Sequence, residues 1–265
     1  MSIKKFGKEK KKQYLCKVKK IWIVALIAIS GGVSMLMFNN MSLIAGEWTK
    51  QTIYIWIQNC FHCQHNNAKP TIMLIDDDCG FGVYTIKDIC DELQIKATFA
   101  VIPSMLTLEI KDSLKNWQKQ GFNIALHGYN HDDWRIWSYE EIMNDINASE
   151  QWLVNNGIDT DRIKYVVAPR GSNTPSVRKA IKNKGYLMVT GANIINPDTD
   201  VFQNGRLIIN KETDLNITNT LLRKAKKRNL FVIIGTHSSI LEEFSKEKTK
   251  AVLQMAINMG FEYHN

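Results

Sequence analysis

Two histidines stand four residues apart in the segment ALHGYNHDDW, where His127 and His131 come after an apolar run. The chain has only six histidines, so a pair at this spacing beside acidic residues is a candidate metal site. Two neutral imidazoles at this spacing reach one ion from a single turn or tight loop. Because such pairs are also frequently structural, the interpretation depends on which side chains stand at the ends of the other apolar runs.

Other apolar runs also end in side chains that bind metals or move protons. The run TIMLI is followed by Asp76, Asp77 and Asp78, the run YVVA by PRGSN, and the run LFVIIGT by His237. Singly each is weak, because Asp favours turns and a lone His after a strand is often a core residue. Together they supply two imidazoles and a carboxylate for a metal, a second carboxylate as general base, and a further His as general acid.

Strands and helices alternate along the chain from about residue 69, as apolar runs and amphipathic segments show. We expect buried strands at 71–75, 97–103, 122–127, 164–169, 186–191, 206–210 and 230–237. We expect helices at 85–94, 110–121, 138–157, 174–185, near 214–228 and near 246–259. This alternation predicts an α/β fold with a parallel sheet, a distorted (β/α) barrel of about seven units. The carboxyl ends of its strands then form the active face.

The positive charge of the chain is confined to its first 20 residues. The formal net charge is +8, and residues 1–20 hold nine lysines and one glutamate, so the remaining 245 residues carry 25 basic and 25 acidic side chains. A neutral body gives little support to nucleic-acid binding. The basic tail is better suited to anionic lipid.

An apolar run of 18 residues, Ile21–Phe38, comes after the basic tail and approaches the ~20 residues that span a bilayer. A cleaved signal peptide is the alternative, although its apolar core is shorter, about 7–15 residues. The positive-inside rule places the tail in the cytoplasm and the body outside a cell membrane crossed once. The predicted division is a basic cytoplasmic tail, a transmembrane anchor, a juxtamembrane linker and a catalytic domain, at 1–20, 21–41, 42–68 and 69–265.

The five cysteines give little functional information. Cys60 and Cys63 form a C-x-x-C in the linker, which is compatible with a short disulfide, half a zinc site or free thiols. Cys90 falls on a predicted helix and is expected in the core.

Four motifs together resemble a known family. The segments LIDDDCG, LHGYNH, APRGSNTP and IIGTH are similar, in order and interval, to the motifs of the polysaccharide deacetylases, the NodB-homology group or carbohydrate esterase family 4. The resemblance extends over roughly residues 70–260 and is specific as a combination.

The resemblance implies roles for individual residues. It gives Asp76 as general base and His237 as general acid, with Asp77, His127 and His131 as ligands of a divalent metal, most often Zn²⁺. A shift by one residue makes Asp77 the base and Asp78 the ligand, and the sequence leaves both registers open, with the first preferred.

Substrate contacts are predicted beside the metal ligands. Pro169 and Trp134 are the candidate substrate-binding residues. Trp134 and its neighbour Trp137 are suited to stacking on a sugar ring, and packing between loop and helix is the alternative for both.

The chain departs from the family pattern in two places. Val167 stands where the family carries an arginine that orients the base, and Ala168 replaces the first proline. We hypothesise that Arg170, three residues later, reaches the same position. The fourth motif, an Asp and Trp cluster that supports the catalytic histidine, has no match in VTGANIINPDTD.

The implied function is metal-dependent removal of N-acetyl groups from amino sugars of a cell-surface polysaccharide. Two alternatives remain: a zinc amide hydrolase acting on another substrate, and a catalytically silent, membrane-tethered glycan-binding protein. A base and an acid are needed by either enzyme but not by a protein that only binds sugar.

Overall fold

A parallel β-sheet forms the centre of the structure, a computed structural model that describes residues 69–189 and 206–264. Its strands are β1 (Thr71–Asp76), β2 (Ala97–Val101), β3 (Asn123–Leu126), β4 (Tyr165–Val167), β5 (Leu187–Val189), β6 (Leu207–Ile208), β7 (Phe231–Thr236) and β8 (Glu262–Tyr263). The seven predicted strands are all present. The first extends one residue further, to Asp76, and the described parts of the other six are two or three residues shorter than predicted. The short β8 was not predicted.

The strand order is β5-β4-β3-β2-β1-β7-β6, and β8 pairs with the start of β1. Every pair is parallel, and the long β1–β7 pairing brings Asp76 opposite Thr236. The predicted α/β class is therefore confirmed, with seven strands in a half-barrel. Within 69–189 and 206–264, β5 and β6 lie at opposite ends of this path and do not pair, so the described strands do not form a closed barrel.

Six helices connect or follow the strands in the described part of the chain. They are α1 (Val83–Leu93), α2 (Leu108–Lys119), α3 (Tyr139–Asn155), α4 (Pro175–Asn183), α5 (Leu215–Arg228) and α6 (Lys246–Asn258). Each agrees with a predicted helix to within about two residues, which is ordinary uncertainty for helix ends. The predicted N-cap of α3 is a capping box in which Ser138 accepts from the Glu141 amide and Glu141 accepts from the Ser138 amide.

The core lies on both faces of the sheet. Alternate residues of β1 belong to different clusters, because successive side chains of a strand point to opposite faces. Ile72 and Leu74 pack in the larger cluster with residues of the helices, whereas Met73 and Ile75 pack in a smaller one with Ile233. A strand buried on both faces explains why the run TIMLI is continuously apolar.

The predicted basic tail, transmembrane anchor and C-x-x-C lie outside the described residues. Among the residues that are described, no helix is both long and apolar enough to cross a membrane. Cys90 is completely buried on α1, as predicted.

Candidate metal and catalytic site

The predicted catalytic and metal-binding residues meet where β1, β3 and β7 end. Asp76 is the last residue of β1, His127 follows β3 directly, and His237 follows β7 directly. The parallel pairing of neighbouring strands brings these ends to the same edge of the sheet.

Asp78, His127 and His131 form a group of three potential metal ligands. One ligand atom from each lies within 4.8 Å of the other two. The Nε2 atoms of His127 and His131 lie 3.3 and 3.8 Å from Asp78 Oδ1. That oxygen is buried and has no hydrogen-bond partner in the described part of the chain. A buried acceptor without a donor, flanked by two imidazole nitrogens, fits a bound cation.

The His127 ring is held in the tautomer that metal ligation requires. Its Nδ1 lies 2.7 Å from the backbone carbonyl of Val167, which only accepts, so Nδ1–H donates and Nε2 keeps its lone pair. Burial alone lowers the pKa of His127, but the carboxylates of Asp77 and Asp78 and the Val167 carbonyl outweigh it and raise the pKa. The same negative surroundings favour a metal cation.

Asp145 of α3 holds the loop that contains the two histidines. Its carboxylate accepts hydrogen bonds from the Tyr129 amide and from the indole of Trp134, at 3.0 and 3.1 Å. Gly128 adopts a positive φ of 73° there, and a Cβ at this position would lie 2.7 Å from Pro169 Cγ. Position 128 therefore requires glycine, which has no Cβ and readily adopts a left-handed backbone conformation.

Asp77 is paired with an arginine that comes from the far end of the sheet. Nη1 of Arg206, just before β6, lies 2.6 Å from both carboxylate oxygens of Asp77, and both side chains are almost fully buried. His237 Nε2 lies 3.4 Å from Asp77 Oδ2, and His127 Nε2 lies 4.0 Å from the same oxygen. Asp77 thus lies between the ligand group and His237.

Asp76 lies completely buried beneath the site. It accepts hydrogen bonds from the Thr236 hydroxyl at 2.7 Å, the Ser238 amide at 2.9 Å and the Ser238 hydroxyl at 2.5 Å. Burial raises the pKa of Asp76 to about 7, although these hydrogen bonds act to lower it. No part of this side chain reaches solvent.

The geometry favours the second of the two registers that the sequence left open. Asp78, rather than Asp77, completes the ligand group. Asp77 occupies the position between that group and His237, while Asp76, preferred as the base, is buried below them. The backbone explains the difference, because Asp78 and Cys79 both have positive φ, 69° and 46°, and so turn the chain sharply after β1.

The three remaining predicted site residues lie in different surroundings. Arg170 is exposed on a short 3₁₀ turn and forms no ion pair with Asp77 within the described chain, where Arg206 takes that place. Pro169 is buried and packs against Gly128. Trp134 has no exposed surface, so its ring packs in the core and offers no face to a sugar.

The comparisons with known proteins agree with this fold. Residues 64–189 match the family model for polysaccharide deacetylases. Residues 64–189 are therefore similar to the polysaccharide deacetylase family. The resemblance predicted from the four motifs is therefore confirmed. The matched stretch ends before β6 and β7, so it includes the aspartates and the histidine pair but not Arg206 or His237. No curated protein sequence matches the chain.

Three solved structures illustrate the likeness. A family 4 acetyl xylan esterase from Clostridium thermocellum, in complex with a cobalt ion, has 15% identity and a TM-score of 0.54, covering 73% of this chain and 87% of its own. A chitin deacetylase from the fungus Colletotrichum lindemuthianum has 16% identity and a TM-score of 0.54, covering 74% and 85%. A CE4 family pseudoenzyme from Bacillus anthracis has 15% identity and a TM-score of 0.50, covering 74% and 63%. At these identities the likeness shows a common fold.

The two registers differ in which aspartate controls metal affinity. We expect Asp78→Asn to weaken Zn²⁺ binding at least about 100-fold, since an amide oxygen is a poorer ligand than a carboxylate. Asp76→Asn, the matched control from the same strand end, should bind Zn²⁺ with nearly native affinity. Isothermal titration calorimetry measures both. Loss of binding in Asp77→Asn with retention in Asp78→Asn would restore the first register.

Proposed function

We propose that the protein is a metal-dependent hydrolase that removes N-acetyl groups from the amino sugars of a polysaccharide. The observation that carries this proposal is the position of Asp77, a buried carboxylate between the ligand group and His237. A base, an acid and a metal site within a few ångströms are what amide hydrolysis requires.

Asp78, His127 and His131 would hold the metal, for which Zn²⁺ is our choice because two imidazoles and a carboxylate are typical catalytic zinc ligands. When bound, such an ion polarises the acetyl carbonyl and lowers the pKa of water to ~7. The similar esterase from Clostridium thermocellum is in complex with a cobalt ion. In the described part of this chain, the feature that supports a cation here is the buried Asp78 Oδ1, which forms no hydrogen bond and lies 3.3 and 3.8 Å from two imidazole nitrogens.

Asp77 is the proposed general base. Arg206 holds both of its oxygens and so orients the carboxylate for accepting a proton from water. The family position for an orienting arginine is occupied by Val167, whose carbonyl instead holds His127. We propose that Arg206 supplies the charge that Val167 cannot.

His237 is the proposed general acid. Its side chain is about one quarter exposed, and its Nε2 lies 3.4 Å from Asp77 Oδ2. The ring is therefore accessible to a substrate while it contacts a buried carboxylate. Breaking the amide C–N bond leaves a basic amine, which departs only after it gains a proton. An imidazole at the open side of the site supplies that proton.

An N-acetylated amino sugar is the proposed substrate. One structural neighbour is named a chitin deacetylase and another an acetyl xylan esterase. The shared fold therefore occurs both in a protein named as a deacetylase and in one named as an esterase. A polysaccharide outside the membrane is also consistent with the anchor predicted from sequence. The pseudoenzyme neighbour makes a silent protein the competing candidate, which the departures at Val167 and Ala168 also favour.

Acetate release from N-acetylglucosamine oligomers tests this function. We expect release by the full chain with Zn²⁺, its loss with chelator, and a decrease of about 100- to 10,000-fold in Asp77→Asn because the base is removed. Asp133→Asn, an exchange of the same kind in the segment after His131, should behave as the native protein. A folded, zinc-loaded protein that releases no acetate from these oligomers contradicts the proposal and leaves the silent protein or another amide substrate.

The cellular location is a separate proposal. We propose that residues 21–41 anchor the protein in a cell membrane with residues 1–20 inside and the domain outside, as the apolar run and the nine preceding lysines suggest. Protease added to intact cells should then digest the domain while an epitope at the N-terminus stays protected. Recovery of the domain as a free, shortened protein in the medium would instead favour a cleaved signal peptide.

A further inference from the structure

Asp76 binds the two residues on either side of His237. Its Oδ1 accepts from the Thr236 hydroxyl and the Ser238 amide, and its Oδ2 accepts from the Ser238 hydroxyl. Three donors therefore converge on one carboxylate, and all three belong to the neighbours of His237 in sequence. The proposed mechanism assigns no role to this carboxylate.

The loop after β7 is also packed tightly against the loop after β1. The Gly80 amide donates to Ser239 Oγ at 2.5 Å. A Cβ on Gly82 would lie 2.0 Å from the backbone oxygen of Ser238, so only glycine leaves room for the loop at this point. The backbone after His237 is thus held both by this packing and by the hydrogen bonds to Asp76.

Asp76 is placed to hold a position rather than to react. It has no exposed surface, so a substrate water has no route to it, and its two oxygens already receive three hydrogen bonds. The His237 ring, by contrast, is partly exposed and lies 3.4 Å from Asp77. The direction of that ring depends on the backbone at Thr236 and Ser238.

We infer that Asp76 is a positioning residue for His237, acting through Thr236 and Ser238, and that it is not the base. This inference rests on the proposed function, since it gives His237 the role of acid. In that step the amide C–N bond breaks after a C–O bond to water oxygen has formed, and the proton on His237 passes to the leaving nitrogen. A ring displaced by ~1 Å loses about 100-fold in such a transfer.

The Asp76→Asn and Asp76→Ala variants separate a positioning role from a base. Asparagine keeps the geometry, because its oxygen accepts from Thr236 and the Ser238 amide while its NH₂ donates to the Ser238 hydroxyl. Alanine leaves all three donors without a partner. Ser238→Ala removes one of the three and should have an intermediate effect. Thr249→Val is the control for removing a buried hydroxyl, since Thr249 Oγ1 has no hydrogen-bond partner within the described residues.

A comparison of two leaving groups distinguishes a displaced His237 from a general loss of structure, because a general loss would lower the hydrolysis of both substrates. We expect Asp76→Ala to lower kcat about 100-fold on N-acetylglucosamine oligomers, whose amine must be protonated, with KM little changed. On 4-nitrophenyl acetate, whose phenolate leaves without a proton, the same variant should lose only a few-fold. Asp76→Asn should remain within a few-fold of the native protein on both substrates, and so should Thr249→Val.

The outcomes are distinct. If Asp76→Asn is as inactive as Asp77→Asn on both substrates, Asp76 is a base and the inference is wrong. If the native protein hydrolyses neither substrate, the proposed function fails, and crystal structures of the two Asp76 variants then decide the inference alone. Those structures should retain the His237–Asp77 contact in Asp76→Asn and lose it in Asp76→Ala. An unchanged His237 in Asp76→Ala would overturn it.

Discussion

The negative charges of three consecutive aspartates at the end of a buried strand need compensating partners. The choice of these partners determines the rest of the site. Burying an unpaired carboxylate costs several kcal/mol, on the order of the whole stability of a domain. Each aspartate has a different solution here. Asp76 receives hydroxyl and amide donors from the loop after β7, Asp77 receives Arg206, and Asp78 faces two imidazoles. The three solutions correspond to three proposed roles, which are positioning, base and metal ligand.

The order of the strands explains how one short segment obtains such different partners. Because β1 lies between β2 and β7, it has strands on both sides in the sheet. The loops that follow those strands therefore reach the carboxyl end of β1 from both sides. The β3 side contributes the histidine pair, with His127 held by the Val167 carbonyl of β4. The β7 and β6 side contributes His237 and Arg206. Parallel pairing is therefore a requirement of the site as well as of the fold.

Much of this was predictable from sequence, and the parts that were not have identifiable causes. Apolar runs and helical periodicity located the strands and helices, because a strand buried on both faces is continuously apolar and a helix buried on one face has apolar residues at helical spacing. The register of the aspartates was not predictable, since it depends on positive φ angles at Asp78 and Cys79 that non-glycine residues rarely adopt. Arg206 was missed because its partner is 129 positions away in sequence, and a lone arginine before a short strand carries no local signal.

Zinc-edge anomalous diffraction from crystals of the zinc-loaded protein tests the central claim most directly, because it locates the ion without reference to activity. We expect one ion bound by Asp78, His127 and His131, with Arg206 still paired to Asp77. An ion bound by Asp77, with Arg206 displaced from it, would contradict the account and return the base to Asp76.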